Sequence, residues 1–240
     1  MTIAATVERS VSQFKPGQIF TYGDIPEYRN AGEAVVKTMS RLVAAKKIAK
    51  VGKGQFYIPR QGVYGPVPVG DAERLKTLMY KDGYQVGYVT GAALFNKLGL
   101  STQQPKTIEV ASMASRQKKN FGSIRVRLVA ATAPVQDNVP LLELLDALKS
   151  CKKISDASVD DVLLLLGKKL KSLEMTDIEK IQKLAIDYYP ASTNAVLGTL
   201  LSRNQQRILP ELRNRLNPTS RYKLGLSPQR WPQAREWFIR

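Results

Sequence analysis

The sequence contains no histidine and a single cysteine, Cys151, in 240 residues. Without histidine there is no Ser-His-Asp triad, no Cys–His pair, no histidine general base and no imidazole metal site. One cysteine permits no intrachain disulfide, which fits a reducing compartment. No segment approaches the ~20 apolar residues that a membrane span requires, and the leucine run at 163–166 is only four residues long. The opening MTIAATVERSVSQF places Ile3, Val7, Val11 and Phe14 around Glu8 and Arg9. That is the pattern of an amphipathic helix rather than of a signal peptide. Acidic residues are scarce, 20 against 37 Lys and Arg, for a formal net charge of +17. These features together predict a cytoplasmic protein without a membrane partner and with affinity for polyanions.

A hydrophobic content of 43% supports a packed core, and 240 residues allow one large or two small domains. The charge is uneven. Residues 1–62 hold 10 basic and 4 acidic residues, 63–135 again 10 and 4, 136–190 8 and 10, and 191–240 9 and 2.

The first 62 residues have the clearest order. After the N-terminal helix, Lys15-Pro16-Gly17 breaks the chain and Ile19-Phe20 is extended. Thr21 is placed to cap a short helix at Tyr22–Ile25, ended near Pro26. Asn30, with Glu33 three residues on, has the spacing of a capping box for a helix over about Ala31–Lys46. On that helix Val35, Val36, Met39, Leu42 and Val43 form an apolar stripe, leaving Lys37, Thr38, Arg41 and Ala44 outward. KIAKV and QFYIP then read as two strands joined by Gly52-Lys53-Gly54, with Lys53 at the tip. Helix, short helix, second helix and basic hairpin are the parts of a winged helix-turn-helix, whose second helix enters the major groove. The fold class predicted is α+β, with a winged helix-turn-helix over 1–62 and a larger mixed α/β domain over 63–240, helical toward its C-terminus.

Gln61–Gly70 is Gly- and Pro-rich and reads as a linker. Thr90 is placed to cap a helix ending at Gly99. Lys106–Ser112 and Ser123–Ala130 are strand-like, the latter alternating Ile124, Val126 and Leu128 with Ser123, Arg125 and Arg127. Arg125 and Arg127, with Arg116, Lys118 and Lys119 before them, make either a basic patch or a solvated sheet face. From Leu141 the chain is helical in pattern, with capping boxes at Thr176/Glu179 and, more weakly, Ser158/Asp161. Asp156, Asp160 and Asp161 at a helix start suit the helix dipole better than a metal. The last fifty residues add Arg203, Arg207, Arg213, Arg215, Arg221, Arg230 and Arg235, interrupted by prolines. Either these arginines and Trp231 and Trp237 form a second functional surface, or the tryptophans anchor the tail while the arginines face water.

FTYGDI, the helix ending MSRLVAAKKI, and KVGKGQFYIPR resemble the N-terminal domain of the AbiEi-type antitoxins and related bacterial transcriptional regulators. GYVTGAALFNKLGLSTQ (87–103), TIEVAS (107–112) and NPTSRYKLGLSPQRWPQAREW (217–237) are similar to segments of related bacterial proteins. The resemblance implies a winged helix that represses its own operon and a remainder that counters a nucleotidyltransferase-like toxin, by direct contact or only genetically.

No enzyme motif competes. There is no Gly-x-Ser-x-Gly elbow, and Gly122-Ser123 is not followed by the Asp-x-Asp of a nucleotidyltransferase. No catalytic residue, metal or cofactor is expected. The predicted partner is double-stranded operator DNA. Lys37, Thr38 and Arg41 are expected at the groove, Arg29 and Asn30 at the helix entry, and Lys50 and Lys53 on phosphates. Arg125, Arg127, Arg203, Arg207, Arg213, Arg215 and Arg221 are candidates for a second basic surface. Two other readings stand beside this one: a winged-helix regulator with no toxin partner, and a protein- or RNA-binding scaffold.

Overall fold

Val7 and Val11, one helical turn apart, lie one above the other and are both buried on α1 (Ile3–Ser12). The structure is a computed structural model that describes residues 2–81, 83–113 and 124–240, with 118–121 described as backbone only. Thr2 caps α1, its hydroxyl accepting from the Ala5 amide at 3.4 Å. Gly17, at φ +84°, turns the chain into β1 (Ile19–Thr21). The Thr21 amide and hydroxyl both donate to Asp24 Oδ2, at 2.7 and 2.8 Å, closing a 3-10 turn at Tyr22–Asp24 where a short helix was expected.

The next helix, α2 (Tyr28–Ala44), starts earlier than Asn30 predicts. It carries a break at Ala31 (φ −145°, ψ 47°), so one turn precedes the regular part. Glu27, at its entrance, accepts from the Ser10 hydroxyl at 3.1 Å and ties α2 to α1. A hairpin follows, β2 (Ala49–Gly52) and β3 (Gln55–Tyr57), with Gly54 at φ +69° in its turn. β3 is the middle strand of an antiparallel sheet ordered β1-β3-β2, with Phe20 opposite Phe56. Val7, Val11, Phe20, Ile25, Val35, Met39, Leu42, Ile48 and Phe56 form its core. Phe14 stacks on Phe20 at a centroid distance of 4.2 Å.

The expected linker is instead a second hairpin, β4 (Arg60–Gly62) with β5 (Gly65–Val67), followed by α3 (Asp71–Met79). It is anchored by Arg60 Nε, which donates to the Pro16 carbonyl at 2.8 Å, and by the Gly17 amide, which donates to Ile58 at 2.8 Å. Two compact units result, Met1–Tyr84 and Gln85–Asn120 with Ile124–Arg240. The first unit takes in all of 1–62 together with the second hairpin and α3. β6 (Tyr80–Lys81) and β7 (Tyr84–Gln85) form a two-stranded ribbon.

The second unit begins with β8 (Gly87–Thr90), α4 (Gly91–Lys97), β9 (Thr107–Ser112), β10 (Lys118–Phe121) and β11 (Ile124–Ala130). The sheet order is β10-β11-β9-β8, with β9 parallel to β11 and antiparallel to β8. Val126 and Leu128 are buried while Arg125 and Arg127 are exposed, the split that period-two alternation requires. Five helices follow: α5 (Val139–Ser150), α6 (Val159–Lys171), α7 (Met175–Tyr188), α8 (Ala191–Arg203) and α9 (Pro210–Asn214), then a 3-10 segment at Pro232–Trp237. Thr176 does not cap α7; Glu174 occupies that position and makes no capping bond. Every residue from Thr193 to Leu201 of α8 is buried, making it the central helix of a leucine-rich core. Mixed α+β architecture is thus as expected. Among the described residues no helix is long and apolar enough to cross a membrane.

Candidate nucleic-acid interface

Buried Val35, Met39 and Leu42 fix which side of α2 faces the core. At about 100° per residue, Val36 sits about 100° from Val35, and Thr38 about 60° away on the other side. Thr38 is accordingly buried, at 5% exposure, although it was expected outward, and Val36 is exposed although it was expected in the stripe. The Thr38 hydroxyl donates to the Ala34 carbonyl at 2.8 Å. That i−4 bond lets a polar group enter the core without an unsatisfied donor.

The outward face of α2 then carries Arg29, Asn30, Lys37 and Arg41, all exposed, with Glu33, Ser40 and Ala44 among them. Tyr28, at its start, is partly exposed and stacks on Tyr22 at 5.3 Å. On the hairpin Lys50 is exposed on β2, and Lys53 is exposed at the turn between Gly52 and Gly54. Among the described residues Arg29, Lys37, Arg41, Lys50 and Lys53 form no ion pair. Lys47, by contrast, pairs with Glu8 at 3.3 Å. Five cations on one helix face and its hairpin are left to solvent, in a unit where carboxylates are available to pair.

The second basic surface does not assemble as a set. Arg127 is neutralised across the parallel pair by Glu109, while Arg125 stays exposed and without an ion pair among the described residues. Arg116, Gly122 and Ser123 lie outside the described residues, and Lys118 and Lys119 are described only as backbone of β10. In the tail Arg207 pairs with Glu179 at 2.6 Å. Arg203 lies over the Trp231 ring at 4.6 Å and donates to the Arg230 carbonyl. Arg213 lies over Trp237 at 5.9 Å, Arg221 over Phe238 at 5.3 Å, and Arg215 is exposed. Trp231 and Trp237 are 1% and 2% exposed, and the Trp237 indole donates to the Ser202 hydroxyl at 2.8 Å. The tryptophans therefore anchor the tail, and several arginines brace it.

The acidic residues near α6 are spoken for. Ser158 caps α6 through the Asp161 amide and donates to the Asp161 carboxylate at 2.6 Å. Ser158, then Arg230, holds Asp161 below its ordinary value. Asp160 accepts from the Ser227 amide at 3.2 Å, and Asp156 from the Thr102 amide at 2.9 Å. Among the described residues no group of His, Cys, Asp and Glu side chains is arranged to hold a metal.

One polar cluster has no sequence signal. Asp146 on α5 accepts from the hydroxyls of Tyr88, Thr90 and Tyr189, at 2.9, 2.8 and 2.8 Å. Thr90 occupies the N-cap position of α4 as predicted, but its hydroxyl goes to Asp146 and makes no capping bond.

No curated protein matches the chain. A family model does match, over residues 6–184, which takes in most of α1, all of α2 to α6 and most of α7 but not α8 or the arginine-rich tail. On that match the chain belongs to the family described as DUF6088, a family of unknown function.

Proposed function

We propose that the chain is a DNA-binding transcriptional repressor, and the antitoxin of a bacterial toxin–antitoxin operon, whose Met1–Tyr84 unit is a winged helix-turn-helix. The observation that carries the DNA-binding half is the set of unpaired, exposed Arg29, Lys37, Arg41, Lys50 and Lys53 on α2 and its hairpin. The element order α1, β1, 3-10 turn, α2, β2, β3, with sheet order β1-β3-β2, supports the winged-helix assignment. In this reading α2 enters the major groove, Lys37 and Arg41 reach base edges, and Lys50 and Lys53 rest on phosphates. Asn30 stands at the groove-facing end of the helix. Thr38, being buried, sets the helix against the core and does not touch DNA.

The antitoxin half rests on the sequence resemblance to AbiEi-type proteins. Two measurements separate the halves. A salt-dependent gel shift of the chain's own promoter duplex supports the repressor; absence of a shift with folded protein removes it. Rescue of cells from overexpression of a neighbouring nucleotidyltransferase-like gene supports the antitoxin; absence of rescue leaves a plain regulator.

A further inference from the structure

The last twenty residues fold back on themselves to wall a cleft. Tyr222 and Ile239 form a parallel bridge, in which the Tyr222 amide donates to the Phe238 carbonyl and the Arg240 amide to the Tyr222 carbonyl, each at 2.8 Å. Phe238 takes a left-handed conformation, φ 57° and ψ 24°, uncommon for a bulky residue. The cleft beside it has a volume of about 610 Å³, within the ~300–1,000 Å³ typical of small-molecule sites.

Its lining combines charge with flat rings. Arg221, Arg235 and Arg240 line it together with Trp231, Phe238 and Leu226, and no acidic side chain does. None of the three arginines is ion-paired among the described residues, whereas Arg230 nearby is paired with Asp161 at 3.1 Å. Arg221 is also held in place. One of its guanidinium nitrogens donates to the Pro218 and Ser220 carbonyls at 2.7 and 2.8 Å, and its charge lies over the Phe238 ring. The other N–H groups of its fork remain for an anion. Trp231 is 1% exposed, yet its indole nitrogen has no acceptor among the described residues. Such an orphaned donor costs about 1–3 kcal/mol unless something accepts from it.

We infer that the C-terminal cleft of Arg221, Arg235, Arg240, Trp231 and Phe238 binds a nucleoside phosphate, free or within a single strand. Three guanidinium groups on one cleft call for a ligand with several clustered acceptor oxygens, which a phosphate provides and a lone carboxylate does not. The partly exposed Phe238 ring supplies the face on which a base stacks, over a floor closed by the buried Trp231 and Leu226. The site lies within residues 221–240, beyond the family match and independent of the N-terminal reading.

The test is calorimetric titration of the full chain at low salt with AMP, adenosine, a five-nucleotide RNA and a poly-glutamate peptide, followed in parallel by tryptophan fluorescence. Arg235→Gln and Arg240→Gln are the variants, since neither side chain makes a hydrogen bond or ion pair among the described residues, and circular dichroism and the duplex gel shift verify that each is intact. Saturable binding of AMP, weakened about tenfold or more by each variant and much weaker for adenosine, establishes a free-nucleotide site. Binding of the RNA alone with the same variant effects places the nucleotide in a strand. The inference is overturned by no binding of either, by binding that both variants leave unchanged, by adenosine binding as well as AMP, or by the peptide binding as well as AMP.

Discussion

Tyr88 and Tyr189 donate to opposite oxygens of the same carboxylate, Asp146, at 2.9 Å to Oδ2 and 2.8 Å to Oδ1. Thr90 adds a third donor on the Oδ2 side at 2.8 Å. The three hydroxyls come from β8 and from the end of α7, so one side chain of α5 joins the sheet of the second unit to its helices. Both rings are buried, at 1% and 3% exposure. Hydrogen bonds to a charged group are worth ~1.5–3 kcal/mol each. Tyr88→Phe or Tyr189→Phe is therefore expected to destabilise the second unit by about 1–3 kcal/mol, and Asp146→Ala by more, because it orphans all three hydroxyls. Urea unfolding with unchanged m-value checks this. Equal stability of Asp146→Ala and wild type removes the cluster as a structural tie.

The same cluster sets a pH dependence. Burial, then the Asp146 charge, raises both phenols far above their ordinary 10.0. A raised folded value means that the neutral phenol is favoured in the native state. This contribution is complete below pH 10 and is lost as pH rises beyond it, because the unfolded chain ionises first. Of the ten tyrosines, two are thus expected to stay protonated until the second unit opens. Phenolate absorbance at 295 nm should show that pair titrating together with loss of far-UV signal. Early titration of all ten while the fold persists contradicts it.

The positions that sequence patterning places well are those where periodicity has one solution. Strand β11, with Arg125 and Arg127 outward, follows from alternation alone, and α1, the β2–β3 hairpin and the helical second half follow from spacing and glycine turns. The misplaced residues on α2 were a matter of rotation: Val36 is apolar and Thr38 polar, but the buried arc is set by Val35, Met39 and Leu42. Residue type at the stripe's rim does not decide burial when a hydroxyl can bond its own helix. Pro and Gly in 61–70 suggested a linker, yet the same residues also permit a two-stranded hairpin. The Asp146 cluster joins residues 43 to 58 positions apart, and the arginine cleft depends on a return of the chain through Phe238; neither has a local pattern.

Gly198 and Trp237 give a packing prediction. Gly198 lies in the middle of α8, and a Cβ placed there would run into the Trp237 ring. Glycine inside a helix ordinarily costs ~0.5–1 kcal/mol relative to alanine, so Gly→Ala there would normally stabilise. The indole reverses the sign. Gly198→Ala is expected to destabilise by about 1–3 kcal/mol through overpacking, to break the bond from the Trp237 indole to Ser202, and to red-shift tryptophan emission. A thermal melt at or above that of wild type shows that the tail does not seat there.

Cys151 is buried, and burial pushes its thiol up to about 11. The nucleophile is the thiolate, so at pH 8 the native protein should resist iodoacetamide and react fully only in denaturant. Rapid native labelling at pH 8 places the thiol at the surface instead.

The contrast among three α2 and hairpin variants tests the proposed interface most directly. Lys53 sits at an exposed turn, where the proposed docking sets its cation against a phosphate and away from the bases. Lys53→Ala should weaken every duplex alike and lower the slope of log affinity against log salt by about 1. Arg41 is exposed on the helix face, so Arg41→Ala should cost ~1–3 kcal/mol on the preferred site, less on others, and relax specificity. Thr38 is the control: its hydroxyl is bonded to Ala34 inside the unit, so Thr38→Ala should leave the affinity of folded protein within about twofold. Competition assays with promoter and scrambled duplexes at three salt concentrations resolve all three. If Thr38→Ala relaxes specificity while Arg41→Ala does not, the buried side of α2, and not its outward face, governs recognition, and the proposed docking is wrong.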